Sequence, residues 1–226
     1  RVLFDNQLRE PQQAEKFQAA ARQYGVAVPS MAMSGFFAQS FLTCDNYQDL
    51  LKDCFLTMKL FGSKVAFLPL GGSGKDWQQE GCAAYQQMAS RLRTAGEMAK
   101  QEGITIGIRT GMGAKFDKKL LKKVGSSQIK VYYNFQDAAD HHRDICKELR
   151  KLGAQRIVQI HASNTDSVNL QEDPEINLPK IRKTLDKMKW SGWLVVERSR
   201  DVKRVRDVKY NFGRNIAYLK QVFQER

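Results

Sequence analysis

Histidine, cysteine and proline are scarce in this chain, with three, four and five among 226 residues. Three histidines, two of them adjacent at His141 and His142, are too few for a histidine-rich cluster of several zinc ions. Cys44, Cys54, Cys82 and Cys146 form no Cys-x-x-Cys and no Cys/His pairing at zinc spacing. Most stand in apolar helical contexts, where a free thiol packs as a small core residue, so a reduced compartment is expected. No apolar run approaches the ~20 residues of a membrane-spanning helix. There is no acidic excess either. Lys and Arg outnumber Asp and Glu 37 to 24, a balance of +13. An anionic substrate or a nucleic acid would suit that charge. The basic residues are spread over helical segments (Lys115 to Lys123, Lys147 to Lys151, Lys180 to Lys183), the pattern of solvated helix faces, so neither a nucleic acid nor a membrane partner is expected. A cytoplasmic location is the expectation. The chain opens on Arg1-Val-Leu-Phe-Asp5, so a leader would lie outside it and export stays open.

What is present is the composition of a folded α/β protein, 42% hydrophobic and 27% charged. Apolar residues at helical spacing (Phe17, Ala20, Ala21, Tyr24; Leu50, Leu51, Cys54, Phe55, Met58; Tyr85, Met88, Leu92, Ala95) alternate with short continuous apolar runs. The runs are Val26 to Ser34, Lys64 to Leu70, Thr105 to Thr110, Ile129 to Asn134, Ile157 to His161 and Gly192 to Glu197. Pro29 argues against a simple central strand in the first. A closing helix is expected to turn Val208, Phe212, Ile216 and Leu219 inward. Six strand–helix repeats with strand starts roughly 25–40 residues apart suit parallel βα units, in either an open doubly wound sheet or a barrel.

Polar residues stand at or next to the ends of four of these runs: Arg109, Asn134, His161 and Glu197. A lone histidine is more often a satisfied structural residue than a catalyst. The C-terminal ends of parallel strands face the site in both candidate folds, however, which raises the odds for a set of four. A carboxylate at the end of Leu194-Val-Val-Glu197 is costly unless it meets a cation, a metal or a donor. The run Gly71-Gly-Ser-Gly-Lys75 lacks the Walker spacing, since Pro69 stands where glycine is needed and Asp76 where Ser or Thr is needed. It reads first as a plain turn and second as an anion-binding one.

The run Gln159-Ile-His-Ala-Ser-Asn-Thr-Asp166, the run Trp190-Ser-Gly-Trp-Leu-Val-Val-Glu-Arg-Ser199 and the six βα units resemble the xylose-isomerase-like TIM barrels, a superfamily of sugar (phosphate) isomerases and epimerases, inosose dehydratases and endonuclease IV. The resemblance covers the chain from about Pro11 onward. It implies one TIM (β/α)8 barrel domain over 1–226, with the first one or two strands absent from this chain. It also implies a divalent metal (Mn, Mg or Zn) at the mouth, held by Glu, Asp, His and Glu from four strands. The histidine falls on His161 and the last glutamate on Glu197, but the first glutamate falls on Arg109 and the aspartate on Asn134. The metal candidates are therefore His161, Glu197 and Asn134, in a site altered at two corners. An arginine cannot ligate a metal and would instead grip an anionic oxygen.

The expectation is an isomerase or epimerase acting on a sugar or sugar phosphate by proton transfer next to a carbonyl. Glu197, His161 and Arg109 are its catalytic candidates, and Asn134, Arg109, Asn164 and Arg198 its substrate contacts. The alternative is a non-catalytic carbohydrate-binding barrel that has lost the metal site. The nuclease reading fails for want of histidines. A homo-oligomer is left open.

Overall fold

The computed structural model describes residues 6–74 and 76–225. They form two compact units, one running to Thr110 and taking in Lys119–Lys130, the other made of Gly111–Lys118 and the chain from Val131 onward. In chain order the helices and strands are α1 (Pro11–Gln23), β1 (Ser30–Ala32), α2 (Tyr47–Phe61), β2 (Val65–Pro69), α3 (Ala83–Gln101), β3 (Thr105–Arg109), α4 (Ala114–Val124), β4 (Ile129–Asn134), α5 (Phe135–Ala139), α6 (Ile145–Leu152), β5 (Ile157–His161), α7 (Leu178–Lys187), β6 (Trp193–Val195) and α8 (Val208–Phe223). Short 3-10 turns fill several of the connections. No helix among the described residues is long and apolar enough to cross a membrane.

In the first unit, β1 pairs with β2 and β2 with β3, all parallel. Every residue of β2 is buried, as the unbroken apolar run Val65 to Pro69 requires of a strand covered on both faces. Leu68, Ile106 and Ile108 are fully buried, each contributing about 1.5–3 kcal/mol by leaving water. Pro29 stands just ahead of β1, where its missing N–H costs the ladder nothing. The glycine-rich turn after β2 has a packing reason. A Cβ on Gly72 would lie 2.9 Å from the carbonyl oxygens of both Phe36 and Phe37, so only glycine lets the two loops approach. Lys75 of that run lies outside the described residues.

In the second unit, β4 pairs with β5 and β5 with β6, again parallel and again in chain order. Neither unit contains the reversal of strand order that marks a doubly wound sheet. Two expectations are corrected here. The last strand ends at Val195, not at Glu197: beyond it the Glu197 N–H donates to the Ser163 hydroxyl (3.3 Å) instead of to a strand carbonyl. The inner face of α8 is the predicted one only at Leu219. Asn211, Asn215 and Leu219 are buried, whereas Val208 and Ile216 are 62% and 44% exposed. The polar backbone of the loop before α8 needs hydrogen-bond partners more than the helix needs to bury two aliphatic side chains.

Candidate active site

Parallel pairing sets the centre of the site in the second unit. Asn134 ends β4, and in the β4–β5 register it stands opposite His161, the end of β5. His161 is in turn the register partner of Val195, the end of β6, and Glu197 lies two residues beyond. His161 is 5% exposed and Asn134 4%, whereas the Glu197 side chain is 48% exposed. The Tyr132 ring lies against the imidazole, with centroids 4.5 Å apart and planes tilted by 58°. A buried imidazole, a buried amide and an accessible carboxylate thus meet at the C-terminal end of three strands.

Hydrogen-bond chemistry decides how these groups face one another. Asn134 is the N-cap of α5, and its Oδ1 accepts from the Gln136 N–H (2.8 Å). That bond fixes the amide, so its Nδ2 is the atom 3.3 Å from Nδ1 of His161. An amide NH₂ can only donate, so Nδ1 accepts and the neutral ring carries its proton on Nε2. Nδ1 has one lone pair. The Glu197 Oε2, 3.6 Å from the same nitrogen, is therefore a charge neighbour of the ring and not its hydrogen-bond partner.

The donor set of this unit does not fit a divalent metal. The Asn134 oxygen is committed to the helix cap, which leaves one imidazole and one carboxylate. Zinc takes about four ligands and magnesium about six. Among the described residues no three His, Cys, Asp or Glu side chains gather as a metal site. Replacing Asn134 by Asp keeps a competent cap, removes the Nδ2–H and adds an anionic oxygen. This variant is expected to bind Mn²⁺ on the order of tenfold more tightly than the parent by titration calorimetry. A parent protein that already holds one tight equivalent would refute this reading of the amide.

The loops after β5 and β6 carry the remaining candidates. Asp166 takes both nitrogens of an Arg200 fork, Nε at 2.9 Å and NH2 closer still, and Arg198 Nε lies 3.9 Å from it. The Arg200 hydrogen bonds hold the Asp166 carboxyl below the usual range against the opposing effect of burial. One carboxylate facing two guanidinium groups leaves a positive excess, and Arg198 is 47% exposed beside it. Asn164, 6% exposed, donates from one Nδ2 to Asp173 (3.2 Å) and Glu175 (3.1 Å), and its backbone N–H donates to the Ser199 hydroxyl (2.8 Å). Arg109 ends β3 of the first unit, paired in register with Pro69, and its carbonyl accepts from the Leu70 N–H (2.9 Å).

Sequence reasoning missed Asp166, Arg200, Ser199, Asn169, Asn211 and Asn215. The one signal available was Asn211 and Asn215 at i, i+4 with Leu219 at the next such position, which put two amides on the stripe of an apolar residue. The cysteines behave as expected of core residues: Cys44, Cys54 and Cys146 are buried, and burial pushes the Cys54 thiol up to about 12.

Residues 3–222 match the family model described as xylose isomerase-like TIM barrel. An inosose dehydratase of Mesomycoplasma hyopneumoniae is 23% identical over 236 residues, covering 88% of this chain and 77% of the relative. The structure of a 3-keto-D-glucoside 4-epimerase from E. coli superposes with a TM-score of 0.73 at 11% identity, covering 93% of this chain and 85% of the other. A D-psicose 3-epimerase from Clostridium cellulolyticum H10 gives 0.72 at 12% identity, covering 93% and 83%.

Proposed function

The chain belongs to the xylose isomerase-like TIM barrel family, and on that premise we propose that it is a sugar isomerase or epimerase that moves a proton at the carbon next to a carbonyl. The observation that carries this reading is the accessible Glu197 carboxylate beside the buried Asn134–His161 pair. Because Asn134 occupies Nδ1, the imidazole does not consume the carboxylate in a hydrogen bond. Glu197 is left to take the acidic C–H proton of a keto or aldo sugar as general base. The oxygen of the carbonyl gains negative charge as that proton leaves. Glu197 then returns the proton, to the same carbon in an exchange, or to the neighbouring carbon in an isomerisation in which the hydroxyl proton passes to the former carbonyl oxygen. Arg198, held beside Asp166, supplies positive charge for an anionic substituent such as a phosphate.

The names of the related proteins support a sugar as the substrate class. The test is incubation of the protein in D₂O with D-psicose, D-tagatose, D-fructose and an inosose, each with and without Mn²⁺, following loss of the C–H signal beside the carbonyl by NMR. Time-dependent loss with at least one sugar is expected. Retained sugar binding with no exchange under any condition would overturn the enzyme reading in favour of a carbohydrate-binding barrel.

A further inference from the structure

Glu197 stands outside any strand and half in solvent, yet the backbone just beyond it is fastened by several buried side chains. Ser199, two residues on, is fully buried and sits at φ +69°, a left-handed conformation that costs a non-glycine residue on the order of 1 kcal/mol or more. Its carbonyl accepts from two amides, Asn215 Nδ2 at 2.7 Å and Asn169 Nδ2 at 3.1 Å, and its hydroxyl accepts from the Asn164 N–H. Asn215 Oδ1 accepts in turn from the Leu170 N–H (2.8 Å). Asn211 Oδ1 accepts from the Asp201 N–H (2.9 Å) and from Asn169 Nδ2 (3.1 Å), and its own Nδ2 donates to the carbonyls of Arg204 and Asp207. Asn169, Asn211 and Asn215 are each 1% exposed or less. Three buried amides therefore replace the strand neighbour that the chain loses at Val195. Along this stretch Glu197 lies beside His161, and Arg198 and Arg200 face one carboxylate, Asp166.

We propose that Ser199, Asn169 and Asn215 are positioning residues for Glu197: they act through the backbone of 197–200 to hold its carboxylate beside His161. The proposal rests on the isomerase reading only for its consequence for turnover; the geometric claim is tested apart from it.

The experiment uses the whole chain with ¹⁵N-labelled histidine. At one fixed pH, the Nδ1 resonance of His161 is compared among the parent, Asn215→Ala, Ser199→Gly and Glu197→Gln. Loss of the Asn215 donor is expected to move that resonance toward its value in Glu197→Gln. It is also expected to lower kcat for C–H exchange by about 10- to 100-fold at little change in KM, the effect of misplacing a reacting group by an ångström. Ser199→Gly adopts φ +69° without strain but leaves the Asn164 N–H without its acceptor, so the relieved strain offsets part of that loss; it is expected to fold and to shift the same resonance in the same direction. A folded Ser199→Gly or Asn215→Ala whose His161 resonance matches the parent would overturn the proposal and leave the amides a purely structural role. A shifted resonance in a protein that exchanges no sugar proton would uphold the positioning claim and reject the isomerase reading instead.

Discussion

Glutamine at position 197 is expected to lower the rate of proton exchange beside the substrate carbonyl by about 10²- to 10⁴-fold, the usual worth of a positioned general base. The change is nearly isosteric and falls on a side chain that is 48% exposed, so the fold has little to lose. KM is expected to stay near the parent value, because the carboxylate works on the C–H proton in the transition state and not in ground-state binding. Glu197→Asp keeps the charge but shortens the reach by one methylene, and an intermediate loss is expected. His161 lies 3.6 Å from the carboxylate, with its Nδ1 engaged by Asn134. His161→Gln should therefore reduce turnover by disturbing the setting of the carboxylate while leaving the base itself in place. Equal exchange rates for the parent and Glu197→Gln would remove Glu197 from the chemistry.

Gly113→Ala is expected to be the most damaging small substitution to stability in the second unit. Gly113 has φ +86°, and a Cβ there would lie 2.9 Å from Glu148 Oε2 and 3.1 Å from Arg143 Nε. Those side chains could move aside only by giving up their bonds. Glu148 Oε2 accepts from the Ala114 N–H (2.8 Å), and Arg143 NH2 donates to the carbonyls of Gly111 (3.1 Å) and Asp137 (2.6 Å). Arg143 Nε lies 3.7 Å from Glu148, and both side chains are largely buried, at 23% and 14% exposure. Backbone strain of about 1–3 kcal/mol and disturbance of a largely buried ion pair together predict a loss of about 2–4 kcal/mol. For a chain of this size that lowers Tm by roughly 5–15 °C in calorimetry. Gly125→Ala is the control. Gly125 has φ +71° but nothing within 4 Å of the added carbon, so it carries the strain without the collision. Equal losses at the two positions would show that the Arg143–Glu148 contact yields at no cost.

The place of the strand ends was largely legible in the sequence. Asn134 and His161 close β4 and β5, as apolar runs that stop on a polar side chain imply, whereas Glu197 lies two residues beyond β6. The conformation of the Asn134 amide was not legible. It depends on a cap two residues on and a histidine 27 residues on, and no local pattern reports which end of an amide faces which partner. The face of α8 was misread for a related reason. Val208, Phe212 and Ile216 make a plausible apolar stripe, but burial was decided by the loop beneath, whose carbonyls and N–H groups needed Asn211 and Asn215.

The amino-acid sequence by itself determined the series of βα units and the residues offered at the strand ends, because hydrophobic periodicity and turn chemistry act over a few residues. The tertiary structure alone decided that the histidine nitrogen beside Glu197 is an acceptor and that Ser199 is left-handed. It also decided that three asparagines replace a missing strand partner. Several of the deciding bonds join groups far apart in the chain, Asn134 to His161 and Leu170 to Asn215 among them, and a hydrogen bond is fixed only when both groups are brought within about 3 Å.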